Sequence, residues 1–99
     1  MVTRVVKMHF RTEELPAFLD LFESTKTRIR NAEGCLHLEL LQHNHHKEVL
    51  FTLSRWEDES CLEKYRASDL FRDTWRKTRS LFSHRPEAWT LNQIARTDG

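Results

Sequence analysis

His37 and Glu39 are the residues of this sequence whose types and spacing best suit acid–base chemistry. They lie two positions apart within residues 35–43, where apolar and polar residues alternate, so a β-strand there places both side chains on one face. The ordinary pKa of histidine, about 6.5, suits a general base near neutral pH, and a nearby carboxylate orients the imidazole. The pair indicates a proton-abstracting site or, equally well, a histidine at a subunit contact. His9, in the first apolar segment, is the second candidate base.

A second group of residues has the chemistry of a clamp for a flat ligand. Aromatic rings stack on planar molecules, and hydroxyl groups bind polar substituents. The residues expected in this role are Trp56, Tyr65, Phe71 and Trp75 for the rings, and Thr52 and Ser54 for the hydroxyls. Glu39 is also expected to bind the substrate. Tyr65 is also a candidate catalytic residue, because its phenol donates a hydrogen bond. Core packing is the alternative for the rings, since helical stripes such as the one containing Phe71 and Trp75 are typical of a core.

The histidines at residues 43–46 and the two cysteines do not form a convincing metal site or disulfide. Residues 43–46 lie in a polar stretch typical of a hairpin turn, which offers no fixed set of ligands. Cys35 and Cys61 lack CxxC spacing, so we expect both to be free thiols. The acidic residues around Cys61 oppose a nucleophilic role. We therefore expect neither a metal nor another cofactor.

Composition and charge limit the kinds of partner. The chain has 99 residues, of which 38% are hydrophobic and 31% charged, so one folded domain over residues 1–99 is expected. A formal net charge of +1 gives no support for nucleic-acid binding through a basic surface. No stretch resembles a signal peptide or a membrane span. We expect a cytoplasmic protein that binds small molecules or protein partners, and no membrane.

The elements that must position these residues follow from the periodicity of the apolar side chains. Thr12, Asp58 and Ser68 are predicted helix caps, and Gly34 is a predicted stop signal for the first helix. Alternation predicts strands, whereas spacings of three and four predict helices. The strands are expected at residues 2–10, 35–43, 49–56 and 86–94, and the helices at residues 12–32, 58–66 and 68–82.

The order β-α-β-β-α-β predicts an α+β, ferredoxin-like fold, in which helices cover one face of a four-stranded antiparallel sheet. The residues expected on the uncovered face are His37, Glu39, Leu41, Leu50, Thr52, Ser54 and Trp56. This mixture is too polar for a dry core and too apolar for a solvated surface. A second copy of the chain is expected to cover it, forming a homodimer with a semi-polar pocket. Trp89, on the last strand, is expected to anchor the partner subunit.

The sequence resembles the antibiotic biosynthesis monooxygenase family of dimeric α/β barrels. The cues are Gly34 and Cys35 at the start of the second strand, Trp56 at the end of the third, the following acidic residues (WEDES) and the passage YRASDLF. The resemblance implies a ferredoxin-like dimer and often, but not always, oxygenation of a quinol or anthrone-type aromatic without flavin or metal. The same fold also hosts other chemistry.

Two departures from relatives narrow the chemistry that the resemblance implies. Many relatives place histidines in the passage that here spans residues 65–71, and this chain has none there. The Asn, Trp and His triad of the haem-degrading branch corresponds to Lys7 or Met8, Tyr65 and Trp75, which argues against haem degradation.

The resulting hypothesis is a cofactor-independent monooxygenase that oxidises a quinol-like or polycyclic phenolic compound in a pocket between sheet and helices of a homodimer. Two alternatives stay open. One is an isomerase of a small carbonyl compound, and the other is a non-catalytic dimeric module that binds a hydrophobic metabolite.

Overall fold

A four-stranded antiparallel sheet organises residues 1–97, the part of the chain described by the computed structural model. The strands are β1 (Val2–His9), β2 (Cys35–Gln42), β3 (Val49–Trp56) and β4 (Glu87–Asn92). The α-helices are α1 (Leu15–Arg30), α2 (Glu59–Arg66) and α3 (Asp69–Arg79). The strand order is β2-β3-β1-β4, and the sheet is open. The α+β, ferredoxin-like fold predicted from the sequence is confirmed.

The helix caps illustrate which local signals the sequence carries. Asp58 and Ser68 cap α2 and α3 as predicted, accepting hydrogen bonds from the backbone N–H groups of Cys61 at 2.9 Å and Phe71 at 3.1 Å. The predicted cap at Thr12 is wrong. Thr12–Glu14 form a short 3-10 turn without a side-chain cap, and α1 begins only at Leu15, because the proline that follows fits the first turn of a helix.

Gly34 reverses the chain between α1 and β2. Its φ of +79° lies in the left-handed region that glycine adopts without strain. A Cβ at this position would also overlap the Sγ atom of Cys61, so the approach of α2 to this turn requires glycine. The helix itself ends earlier than predicted, at Arg30.

The pairing of β3 with both neighbours decides which side chains share a face of the sheet. Thr52 lies opposite Val6 of β1 and Leu40 of β2, and Ser54 lies opposite Arg4 and Leu38. The face that carries Thr52 and Ser54 packs against the helices in two clusters of buried residues. One cluster contains Val2, Cys35, Trp56 and Leu62, and the other contains Met8, Phe10, Phe18 and Leu50. This is the helix-covered face.

The other face of the sheet, which we call the open face, carries His37 and Glu39, as predicted. The prediction that Leu50, Thr52, Ser54 and Trp56 also lie there is wrong. Glu39 lies opposite Leu53 rather than Thr52, which places the even-numbered residues of β3 against the helices. A β-bulge between Cys35 and His37 separately places Cys35 on the helix-covered face, opposite Trp56.

None of the helices within residues 1–97 combines the length and the hydropathy that a membrane span requires.

Candidate functional site

A cavity of about 240 Å³ lies between the helix-covered face of the sheet and the three α-helices. Strand β1 contributes Arg4, Val6 and Met8 to its walls, and β3 contributes Thr52 and Ser54. The helices close the opposite side. The cavity belongs to a single protomer and is not a gap between two sheets.

Aromatic rings from β3, α2 and α3 form a continuous row along this cavity. Trp56 stacks on Tyr65 with ring centroids 5.1 Å apart, and the edge of Tyr65 meets Phe71 at 5.4 Å. Phe71 stacks on Trp75 at 6.0 Å, with the two ring planes within 10° of parallel. Aromatic contacts of this kind stabilise the walls and also leave ring faces for a planar ligand. The six residues predicted as a clamp therefore all line one cavity: Thr52, Ser54, Trp56, Tyr65, Phe71 and Trp75.

The corner between α2 and α3 holds Tyr65 and Phe71 in place. The Ser68 hydroxyl donates to the backbone carbonyl of Tyr65 at 2.6 Å and accepts from the backbone N–H of Phe71 at 3.1 Å. One serine thus connects the end of α2 to the first turn of α3. The relative position of the two rings follows from this connection.

The sheet and α2 contribute three hydroxyl groups to the cavity, and Thr74 and Thr78 of α3 add two more. Ser54 Oγ accepts a hydrogen bond from Trp56 Nε1 at 2.9 Å, which orients the indole and leaves the serine hydroxyl free to donate. Burial, followed by the nearby Cys35 thiol, raises the pKa of Tyr65 to about 12. The Tyr65 phenol is therefore protonated at neutral pH and serves as a hydrogen-bond donor rather than a base. The third hydroxyl belongs to Thr52.

The charges at the cavity are positive. Arg4 and Arg66 line it, whereas none of its lining residues within the described chain is an aspartate, a glutamate or a histidine. Arg66 forms an ion pair with Glu63 at 3.1 Å, and Arg4 Nη1 donates to Thr90 Oγ1 at 2.9 Å. Sequence reasoning missed both arginines as site residues. The available signal for Arg4 was its position, which alternates with Val6 and Met8 on the inward side of β1.

The predicted acid–base pair forms, but away from the cavity. His37 Nε2 lies 2.9 Å from Glu39 Oε2, and both side chains are partly exposed on the open face. His9 is on the same face near the other end of the sheet, opposite Val49, whereas His37 is opposite Arg55. The expectation that His37, Glu39 and His9 share one pocket with the clamp residues is therefore wrong in placement, because strand alternation directs the two sets to opposite faces.

His9 packs against His84, with ring centroids 4.9 Å apart. Burial and then the charge of His84 lower the pKa of His9. His9 lies on the open face, and neither histidine lines the cavity.

The histidines of the β2–β3 hairpin behave as part of a turn. His43 Nδ1 accepts hydrogen bonds from the backbone N–H groups of His45 and His46, both at 3.1 Å. Within residues 1–97, no three His, Cys, Asp or Glu side chains are grouped so as to hold a metal ion. Cys35 and Cys61 are free thiols, and burial is the main reason that the pKa of each is raised.

Many solved structures have the same fold as this chain. A conserved protein from Methanosarcina mazei Go1 superposes with a TM-score of 0.88 at 24% identity, covering 94% of this chain and 93% of that one. A Mycobacterium tuberculosis protein gives 0.89 at 16% identity and 98% coverage of both chains. SnoaB from Streptomyces nogalater, described as a cofactor-independent oxygenase, gives 0.84 at 19% identity, covering 96% of this chain and 94% of that one.

The sequence itself identifies the family. No curated protein matches it significantly. The family model for antibiotic biosynthesis monooxygenase, however, matches residues 1–77. That stretch includes three strands of the sheet and the whole aromatic row from Trp56 to Trp75. The chain therefore belongs to the antibiotic biosynthesis monooxygenase family.

Proposed function

We propose that the cavity is the active site of a monooxygenase that oxidises a quinol-like or polycyclic phenolic compound without flavin or metal. The observation that carries the proposal is the row of stacked rings from Trp56 to Trp75, which lines one cavity together with two hydroxyl-bearing residues of β3, Thr52 and Ser54. Family membership supports the reaction type.

The substrate supplies the electrons in this reaction. An anthrone methylene and O2 give a carbonyl and water, so a four-electron oxidation of carbon matches the four-electron reduction of O2. The substrate loses a proton to solvent, its anion passes one electron to O2, and the resulting radicals combine as a peroxide that collapses to the carbonyl and water. The protein must orient the ring, stabilise the anionic oxygen and limit water access.

Named residues meet these requirements. Trp56 and Tyr65 provide a stacked wall for the ring, and the protonated Tyr65 hydroxyl donates to a substrate oxygen. Ser54 adds a second donor next to the Trp56 indole. The apolar walls restrict water at the reacting carbon.

The same proposal includes a homodimer formed through the open face. Members of this family are typically dimeric. The central row of this face runs from Glu39 through Leu53 and Val5 to Trp89, so apolar side chains occupy its middle. Such a contiguous apolar surface rimmed by polar groups is typical of a protein contact. His37 and Glu39 are then interface residues rather than the catalytic base and its partner.

The lack of an imidazole or carboxylate among the described cavity-lining residues favours one alternative function. An isomerase needs a base that accepts and returns a proton, and the raised pKa of Tyr65 makes it unsuitable for this task. A module that binds a hydrophobic metabolite needs no base. It is the second candidate.

Oxygen consumption with anthrone tests the proposed reaction. Protein free of flavin and metal should consume O2 and anthrone in equal amounts, and ¹⁸O-labelled O2 should place one labelled atom in the product carbonyl. Trp75→Ala should lower kcat/KM by roughly tenfold or more, the loss expected for one stacking ring. His37→Ala, on the open face, should change it less than about twofold.

Binding of anthrone without O2 uptake would overturn the monooxygenase assignment in favour of the binding module. A large loss of activity in His37→Ala at unchanged oligomeric state would overturn the placement of the chemistry in this cavity.

A further inference from the structure

We propose that this cavity binds its aromatic ligand as an anion, with the charged oxygen held by the Arg4 guanidinium. The inference rests on the proposed function in one respect, since it specifies the ionisation state of the same ligand. It does not depend on reaction with O2.

The first observation is the charge of the cavity walls. The ionisable side chains among the described lining residues are Arg4, Arg66 and Tyr65, and Tyr65 is neutral at physiological pH. Arg66 has a carboxylate partner in Glu63, 3.1 Å away. Arg4 forms no ion pair within residues 1–97, and its one hydrogen bond, to the uncharged Thr90 hydroxyl, engages a single nitrogen. A guanidinium carries five N–H donors, so most of those on Arg4 remain for a ligand.

The second observation is the position of Arg4 in the sheet. It projects from the helix-covered face of β1 between Ser54 of β3 and Thr90 of β4, with Val6 as its inward-facing neighbour along the strand. It is partly buried there. Burial, and then the like charge of Arg66, lower the pKa of Arg4, and the Glu63 carboxylate offsets this only in part. An anionic oxygen would supply the remaining compensation, through short charge-assisted hydrogen bonds.

In this geometry Arg4 promotes ionisation of the ligand in a different way from the base that the sequence suggested at His37. A bound phenol ionises to a phenolate and a proton, and the proton passes to solvent, since no side-chain base lines the described cavity. Arg4 favours ionisation by stabilising the phenolate, not by accepting the proton. The pKa of the bound phenol is therefore expected to fall below its value in water.

Anaerobic binding of matched naphthalene probes tests the inference. 2-Naphthol, 2-naphthoate and the uncharged 2-methoxynaphthalene share one ring system, and absorption distinguishes 2-naphthol from its anion. We expect at least one anionic probe to bind roughly tenfold or more tightly than the ether, the effect of one charge-assisted hydrogen bond. A preference for 2-naphthol that comes with a lowered pKa identifies a phenolate site, whereas a preference for 2-naphthoate alone identifies a carboxylate site.

Arg4→Met should abolish the preference for anions while leaving the affinity for the ether within about threefold, and Arg4→Lys should retain part of the preference. Arg28→Met is the matched control, because Arg28 is exposed on α1 and does not line the cavity. Circular dichroism checks that each variant is folded.

Equal affinity of the wild-type protein for the ether and both anions would overturn the inference, as would an anion preference that persists in Arg4→Met. Because O2 is absent, these results are independent of the monooxygenase assignment. Anion preference combined with no anthrone oxidation would support the role of Arg4 and reject only the proposed reaction.

Discussion

At the scale of single residues, Tyr65 offers a direct measurement of the cavity environment, because it is the only tyrosine in the sequence. Burial raises its pKa to about 12, so absorbance at alkaline pH should follow one phenol with a midpoint well above the ordinary value of 10.0. Between these two values the unfolded chain has lost the proton and the folded chain retains it. The free energy of unfolding should therefore fall from about pH 10 and level off near pH 12.

Tyr65→Phe removes this titration and serves as the control. The difference in unfolding free energy between wild type and Tyr65→Phe, measured with urea across this range, isolates the contribution of the phenol. A midpoint near 10 would show that the Tyr65 hydroxyl is solvated and would remove it from the cavity wall.

The identities of the clamp residues could be predicted from the sequence, whereas their neighbours could not. Aromatic rings and hydroxyls at Trp56, Tyr65 and Ser54 signal a ligand site by their chemistry alone. Arg4 gives no such signal, because an arginine in an alternating strand is usually solvated. Its alternation with Val6 and Met8 groups it with apolar residues, but the pairing of β1 with β3 and β4 is needed to show that this side of the strand faces the helices.

At the scale of elements, the α2–α3 corner determines how the aromatic row is assembled. Ser68 is both the cap of α3 and a donor to the last turn of α2. Ser68→Ala should lower the free energy of unfolding by about 1 kcal/mol, the usual cost of losing a helix cap. It should also weaken ligand binding, since Tyr65 and Phe71 lie on either side of the corner.

Ser80→Ala is the matched control for urea denaturation. The Ser80 hydroxyl donates only to the exposed Lys77 carbonyl at the end of α3, so the expected change is within about 0.5 kcal/mol. Equal losses in the two variants would contradict the role of Ser68 as a connector.

The element boundaries also show where local sequence information ends. Caps and hydrophobic periodicity placed β3 and α2 within a residue of their observed bounds. The bulge near the start of β2 was not foreseen, because it depends on how Cys35 packs against Trp56 and α2. The register of β2 with β3 beyond the bulge, which puts Glu39 opposite Leu53, is also nonlocal, so correct strand assignments still gave a wrong partner set for His37.

At the scale of the whole molecule, the sheet separates two functions. The helix-covered face forms the cavity, and the open face is the proposed contact with a second copy of the chain. On the open face the Arg55 Nε atom is buried and, among residues 1–97, without a hydrogen-bond partner. Trp89, Leu91 and Leu41 on this face are 44%, 49% and 43% exposed. An unpaired polar atom and exposed apolar side chains on the same face suit a surface that a second chain completes.

Replacing Trp89 should therefore separate the proposed dimer. Trp89 lies opposite Val5 in the central row of the open face, so Trp89→Arg would bury a charge against Val5 and Leu53 at the subunit contact. Sedimentation at micromolar concentration should give twice the mass of the 11.9 kDa chain for wild type and the mass of a single chain for Trp89→Arg.

Leu19→Arg is the matched control. It introduces the same charge at a residue of α1 that is 43% exposed, and this variant should remain dimeric. If wild type sediments as one chain, the open face does not form a homodimer and has another partner. If Leu19→Arg dissociates as well, the added charge causes dissociation whatever its position, and the open face is not shown to be the contact. Because the cavity lies within one protomer, a monomeric Trp89→Arg variant should still bind aromatic ligands, which separates assembly from recognition.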